Sequence, residues 1–213
     1  MALDDIFEDS WKEILVIIIA AAILGVSFSF PGFKNIITLI SLFFIVICIN
    51  VIAKKIIAYY YEASIKTKFW RLYQFWFTKK SHFRNPIPMF WFPFLVSVAF
   101  NGAIQWLGIL EFDIEAKTER VSKRHGLYRF SQMAEYHIAI IAATGLILNL
   151  LVAAIAYVLN FTTFAQLNIY YAFWSIIPIS SLDGSKILFG SKPLWTVLFI
   201  ITIILAAVCL VIA

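Results

Sequence analysis

Six stretches of apolar residues, each close to the length that crosses a bilayer, constrain this chain more than any other feature. They run roughly over Ile14–Phe30, Ile36–Ala53, Met89–Leu110, Ile138–Asn160, Phe164–Leu182 and Leu194–Ala213, bounded by charge or by Gly and Pro. A hydrocarbon core asks for ~20 apolar residues per crossing helix. Of 213 residues, 62% are hydrophobic and 14% are charged, too apolar a mixture for a soluble domain to hide. The expectation is an all-α, multi-pass integral membrane protein with about six transmembrane helices and lipid as its first partner. The fifth span is the weakest of the six, because Gln166 and Asn168 make its entrance polar.

The net charge of +5 suits basic loops against anionic lipid and does not imply nucleic acid. It does not orient the chain. With six spans, Lys12 and the eight Lys/Arg of 54–87 fall on one side, against eight basic residues on the other. Cys48 and Cys209 lie in apolar segments near opposite ends and read as packing residues rather than a disulfide or ligand pair. Residues 66–80, KTKFWRLYQFWFTKK, read as an amphipathic interfacial helix with Trp70, Tyr73, Trp76 and Phe77 against lipid. Farther on, Phe112, Ile114 and Ala116 alternate with Asp113, Glu115 and Lys117, which is a strand period. A short β-hairpin or loop near 111–130 is expected, with Arg124, His125 and Gly126 at its turn. The chain divides into an N-terminal transmembrane hairpin (1–60), a basic aromatic interfacial segment (61–87), a core (88–190) and a C-terminal helix (191–213).

One carboxylate stands out. In PISSLDGSKILFG, residues 178–190, Asp183 follows an apolar span, five residues after Pro178 and directly before Gly184. An ionisable group at membrane depth is costly and usually faces the bundle interior with a job. Pro178 removes an amide donor, Gly184 permits unusual dihedrals, and Ser180 and Ser181 can satisfy freed backbone groups. The plainer alternative is that Asp183 marks where the span leaves the membrane and caps the segment after it.

The segment resembles the Pro-x-x-x-Leu-Asp-Gly signature of the site-2 protease family of intramembrane zinc metalloproteases, with Pro178, Leu182, Asp183 and Gly184 in register. Ser175 stands three residues before the proline, where the family usually carries Asn. The preceding span, AIIAATGLILNLLVAAIA, looks like that family's small-residue helix, with Gly145 and Asn149 at its spacing. The resemblance implies a three-helix core in which the aspartate completes a zinc site with the histidines of His-Glu-x-x-His, one helix earlier. Histidines at i and i+4 share a helix face and the glutamate activates the bound water. This chain has only His82, His125 and His137, and the motif is absent. Asn101, Gly102 and Gln105 are the expected substitutes, at the same i, i+1, i+4 spacing. Amides are poor zinc ligands and glycine accepts no proton. Their bland role is interhelical hydrogen bonding.

Three readings result, in this order. The first is a catalytically degenerate homologue that binds a transmembrane segment or partner protein, with Asp183 paired to Asn101, Gln105 or a loop arginine such as Arg129, and with no cofactor. The second is a working zinc metalloprotease with unusual ligands, Asp183 joined by His137 and Glu135. Those two are two residues apart, about 160° around a helix, so they chelate together only off a helix. The third is an ion or proton pathway through Asp183.

Overall fold

The computed structural model describes residues 3–74, 82–116 and 133–212. The chain opens with a helical hairpin, α1 (Leu3–Ser29) and α2 (Ile36–Tyr60), packed along its length. Four helices carry stretches long and apolar enough to cross a membrane: Trp11–Ser29, Ile36–Tyr60, Glu135–Val158 and Lys192–Leu210. The other two apolar stretches form shorter helices. α3 (Phe92–Ala99) has 8 residues; Pro93 lies in its first turn, and Asn101 (φ 50°) and Gly102 (φ 78°) follow it in left-handed backbone. After that turn the chain runs without helix from Gln105 into strand β4. The fifth stretch folds as α5 (Thr162–Ile176), 15 residues. It stops because Pro178 disfavours helical backbone in the residue before it, and Ile177 is already extended at ψ 128°.

Among the described residues three strands lie between α2 and α3, β1 (Ala63–Phe69), β2 (Arg71–Gln74) and β3 (His82–Pro88); β4 is Leu110–Ala116. Antiparallel pairing of β1 with β4 runs from Ala63↔Ala116 to Phe69↔Leu110, and β2 pairs with β3. The amphipathic helix expected from residue 66 is therefore a correction. Its described part is strand, because Ala63, Ile65 and Thr67 go inward while Lys66 and Lys68 lie nearer the surface, a period of two. Trp70 does not face lipid either: it is 2% exposed and stacks on Trp106, centroids 5.8 Å apart. Trp76 and Phe77 lie outside the described residues. So do the turn at Arg124, His125 and Gly126 and the loop arginine Arg129. The strand expected at 112–116 does form, with Phe112 buried and Asp113 and Glu115 exposed, and its partner is β1. Lys68 and Asp113 meet across the ladder at 2.7 Å; exposed, such a pair is worth under about 1 kcal/mol.

The last four helices are α4 (Glu135–Val158), α5, α6 (Asp183–Gly190) and α7 (Lys192–Ile212). α4 is the central element, packing on α2, α5 and α6. Leu24 of α1, Phe43 and Ile47 of α2 and Leu167 and Tyr171 of α5 share one buried cluster. Ile141 and Leu146 of α4 meet Ala172, Ile176 and Ile187 in another. The N-terminal hairpin is thus built into the same core as α4–α6.

Candidate functional site

α2 is apolar except near its end, where Asn50 and Lys54 are one turn apart and share a face. Both are buried, at 1% and 6% exposure. That face lies on α4 at Gly145, the one place where α4 has no side chain to block it. A Cβ on Gly145 would sit 2.6 Å from Lys54 Cε and 2.8 Å from Asn50 Nδ2. One turn farther along α4 is Asn149, fully buried.

Asp183 arrives from the other side. Past Pro178 the chain turns through Ser180, in left-handed backbone at φ 49°, and buried Leu182 anchors the approach. Asp183 then opens α6, and Gly184 lets that first turn press on the end of α5. A Cβ on Gly184 would stand 1.9 Å from the carbonyl oxygen of Ile176, so no other residue fits there without moving backbone. At 4% exposure Asp183 accepts a hydrogen bond from Lys54 Nζ at 2.5 Å through Oδ2. Phe112 of β4 covers the pair, its ring centroid 4.8 Å from Lys54 Nζ. α5 adds a further polar face, Asn168, Tyr171 and Ser175, all buried, with Tyr171 hydrogen-bonded to Ser175 and within the field of Asp183.

Above this centre, towards the sheet, Glu111 is 3% exposed and takes hydrogen bonds from Ser181 Oγ, from the Arg71 amide at 3.4 Å and from Tyr73 Oη at 3.4 Å. Burial pushes its carboxyl above the ordinary value, while the bonds from Ser181 and the Arg71 amide pull the other way. Ser180 donates to the Arg71 carbonyl and Ser181 Oγ lies 3.3 Å from it, so the loop that presents Asp183 is tied to β2. Lys186, one turn into α6, donates to the Phe112 carbonyl and lies 3.6 Å over that ring.

The structure packs Gly145 on Lys54, the partner of Asp183, keeps Leu182 and Gly184 beside that carboxylate in the chain, and buries Asn149 and Ser175 on α4 and α5. It does not bring Asn101 or Gln105 to them. Asn101 is exposed in the turn after α3, Gly102 beside it keeps a left-handed backbone, and Gln105 donates to the Phe28 carbonyl at 3.2 Å. The i, i+4 spacing was read as a helix face where the chain has already left the helix. Asp183 pairs with Lys54, not with those amides. Glu135 is exposed at the start of α4, and His137 lies on Tyr61, ring centroids 4.7 Å apart. Among the described residues no three of His, Cys, Asp and Glu are grouped to hold a metal ion.

The residues at the centre do not fit zinc. Asp183 spends one oxygen on an ammonium, which has no lone pair to give, and Asn50 offers only an amide. What they do make is a fixed internal charge pair with an unbalanced set of polar atoms around it. Both amide atoms of Asn50, both of Asn149 and Asp183 Oδ1 are buried without a hydrogen-bond partner among the described residues. Left bare, those five atoms would cost about 5–15 kcal/mol at ~1–3 kcal/mol each.

The sequence does not single out Lys54 and Asn50, because a charge reads as the end of the second span. A signal existed: the apolar run resumes at Ile56 after Lys54 and Lys55, and Asn50 precedes Lys54 by one turn. Compared with known proteins, the chain matches no family model, no curated protein and no solved structure.

Proposed function

We propose that this chain is a multi-pass integral membrane protein of site-2 protease-like architecture in which an ion pair stands where a metal centre would, and that it works by binding a transmembrane segment or membrane partner. The observation that carries the reading is Lys54 on Asp183. On α2, Asn50 and Lys54 have the one-turn spacing that two metal-binding histidines need, and the third corner is the aspartate of Leu-Asp-Gly. Gly145 and Asn149 of the small-residue helix back the same point. In this reading α5 with the turn at 177–182 completes a fifth crossing, and α3 with 100–110 contributes a sixth, shorter excursion. An ammonium neutralises Asp183 without activating water, so the scaffold keeps its cleft and lacks hydrolysis. For a client there is an apolar groove of about 560 Å³ between α4, α5 and α7, floored by Ala153, Ala165 and Ile169.

Metal analysis of purified protein tests this. The wild-type chain is expected to carry no stoichiometric zinc, whereas Asn50→His with Lys54→His gains it, since two histidines and Asp183 then converge. Asn101→His with Gln105→His should gain none. Zinc in the wild type, lost on Asp183→Ala and accompanied by peptide-bond cleavage, would overturn the proposal.

The buried polar faces of α2, α4 and α5 support a second reading, an ion or proton pathway through Asp183. Proton flux into liposomes that disappears in Asp183→Asn would favour it over binding.

A further inference from the structure

The unpartnered atoms at the centre come from three separate segments. Asn50 reaches from α2 to Gly145 of α4, Asn149 lies one turn beyond Gly145 on the same face, and Asp183 is held beside them by Lys54. Their exposures are 1%, 0% and 4%. Asn168 of α5 is a fourth residue with a buried atom unpartnered among the described residues, its Oδ1, while its Nδ2 donates to the Phe164 carbonyl at 2.8 Å. Buried polar atoms in folded proteins are almost always satisfied, and here the whole group is left over.

Three kinds of partner could satisfy them. Direct pairing of Asn50, Asn149 and Asp183 Oδ1 would use amide donors and acceptor oxygens, but no such bond joins these atoms among the described residues. A monovalent cation would suit the three oxygens of Asn50, Asn149 and Asp183, but it leaves both Nδ2 groups unmet and would have to enter beside the Lys54 ammonium, which repels it. Water both donates and accepts, and it can bridge polar groups that do not bond one another directly. A site with two to four convergent polar groups is what a buried water requires.

We propose that the space bounded by Asn50, Gly145, Asn149 and Asp183 is a water-binding site in the interior of the helix bundle, holding a small ordered cluster that bridges the two amides to the free carboxylate oxygen. Water there solvates the side of Asp183 that Lys54 does not reach. The inference rests on burial and unpaired atoms and not on the proposed function, so either can fail without the other.

The test is water-edited solid-state NMR on the full chain in lipid bilayers, with asparagine side chains labelled with 15N and aspartate with 13C. Magnetisation from water is expected to reach Asn50 Nδ2, Asn149 Nδ2 and Asp183 Cγ several-fold faster than the backbone amides of Ala142 and Leu146, which are as deeply buried in α4. In Asn50→Leu with Asn149→Leu the transfer to Asp183 Cγ should fall, and this variant removes polar groups together rather than stranding one. Transfer no faster than at Ala142 and Leu146 sinks the proposal in favour of direct amide pairing. If replacing sodium by choline changes the Asn50, Asn149 and Asp183 shifts, a cation occupies the site and the proposal is equally lost.

Discussion

Lys54 and Asp183 are 129 residues apart in sequence and 2.5 Å apart in space, and each is there only because the other is. Removing one charge leaves the other buried and uncompensated. Lys54→Met should therefore destabilise the fold by about 3–5 kcal/mol, and Asp183→Leu by a similar amount. The double variant should recover most of that loss, since apolar groups of similar volume replace such pairs at little cost. Detergent-micelle unfolding of the three variants checks this; additive losses would mean the pair is not coupled. Glu111 makes a pH prediction. Because burial raises its carboxyl above 4.5, the folded chain holds that proton more tightly than the unfolded one. Its contribution is complete below 4.5 and is lost as pH rises through the raised value, so stability declines with rising pH in that window. Glu111→Gln should flatten the decline in melting curves recorded across it. Of these residues Asp183 was legible from the chain, as a lone carboxylate beside a proline and a glycine. Lys54 was not, since a lysine at the edge of an apolar run looks the same whether it snorkels out or turns in.

At the scale of elements, α6 matters out of proportion to its length. Its first turn abuts the carbonyl end of α5 so closely that Gly184→Ala must push backbone aside. The expected cost is at least about 2 kcal/mol, with Asp183 shifted off Lys54, and melting temperature with Lys54 labelling rates would show both. An unchanged stability would mean that α5 and α6 do not meet as described. Pro178 announced the end of α5 because its effect is local and steric. The alternation at 112–116 announced β4 for the same kind of reason, a period of two written in adjacent residues. Residues 66–69 misled because lysines and aromatics together satisfy both an interfacial helix and a strand. What decided it was β4, distant in sequence, which offers β1 a ladder while α1 and α2 pack on that strand.

For the whole molecule, four helices have the length and apolarity to cross a bilayer, and the sheets lie where α2 ends and α4 begins. The chain should therefore stay in the membrane pellet under alkaline carbonate extraction, and its appearance in the supernatant would count against an integral protein. The hairpin of α1 and α2 is not an appendage, because α2 supplies two of the side chains at the centre and packs on α4 and α5.

From sequence by itself came the membrane-length apolar runs, the break at Pro178, the strand at 112–116 and the isolation of Asp183 beside that break. All of these depend on length, on sterics of neighbouring residues or on the cost of a lone charge, which a chain carries in its local order. Tertiary structure alone decided which group answers Asp183, where Asn101 and Gln105 go, and which polar atoms meet in the core. Those outcomes depend on which helix faces are pressed together, and a glycine such as Gly145 admits a lysine from α2 only once α2 lies across it.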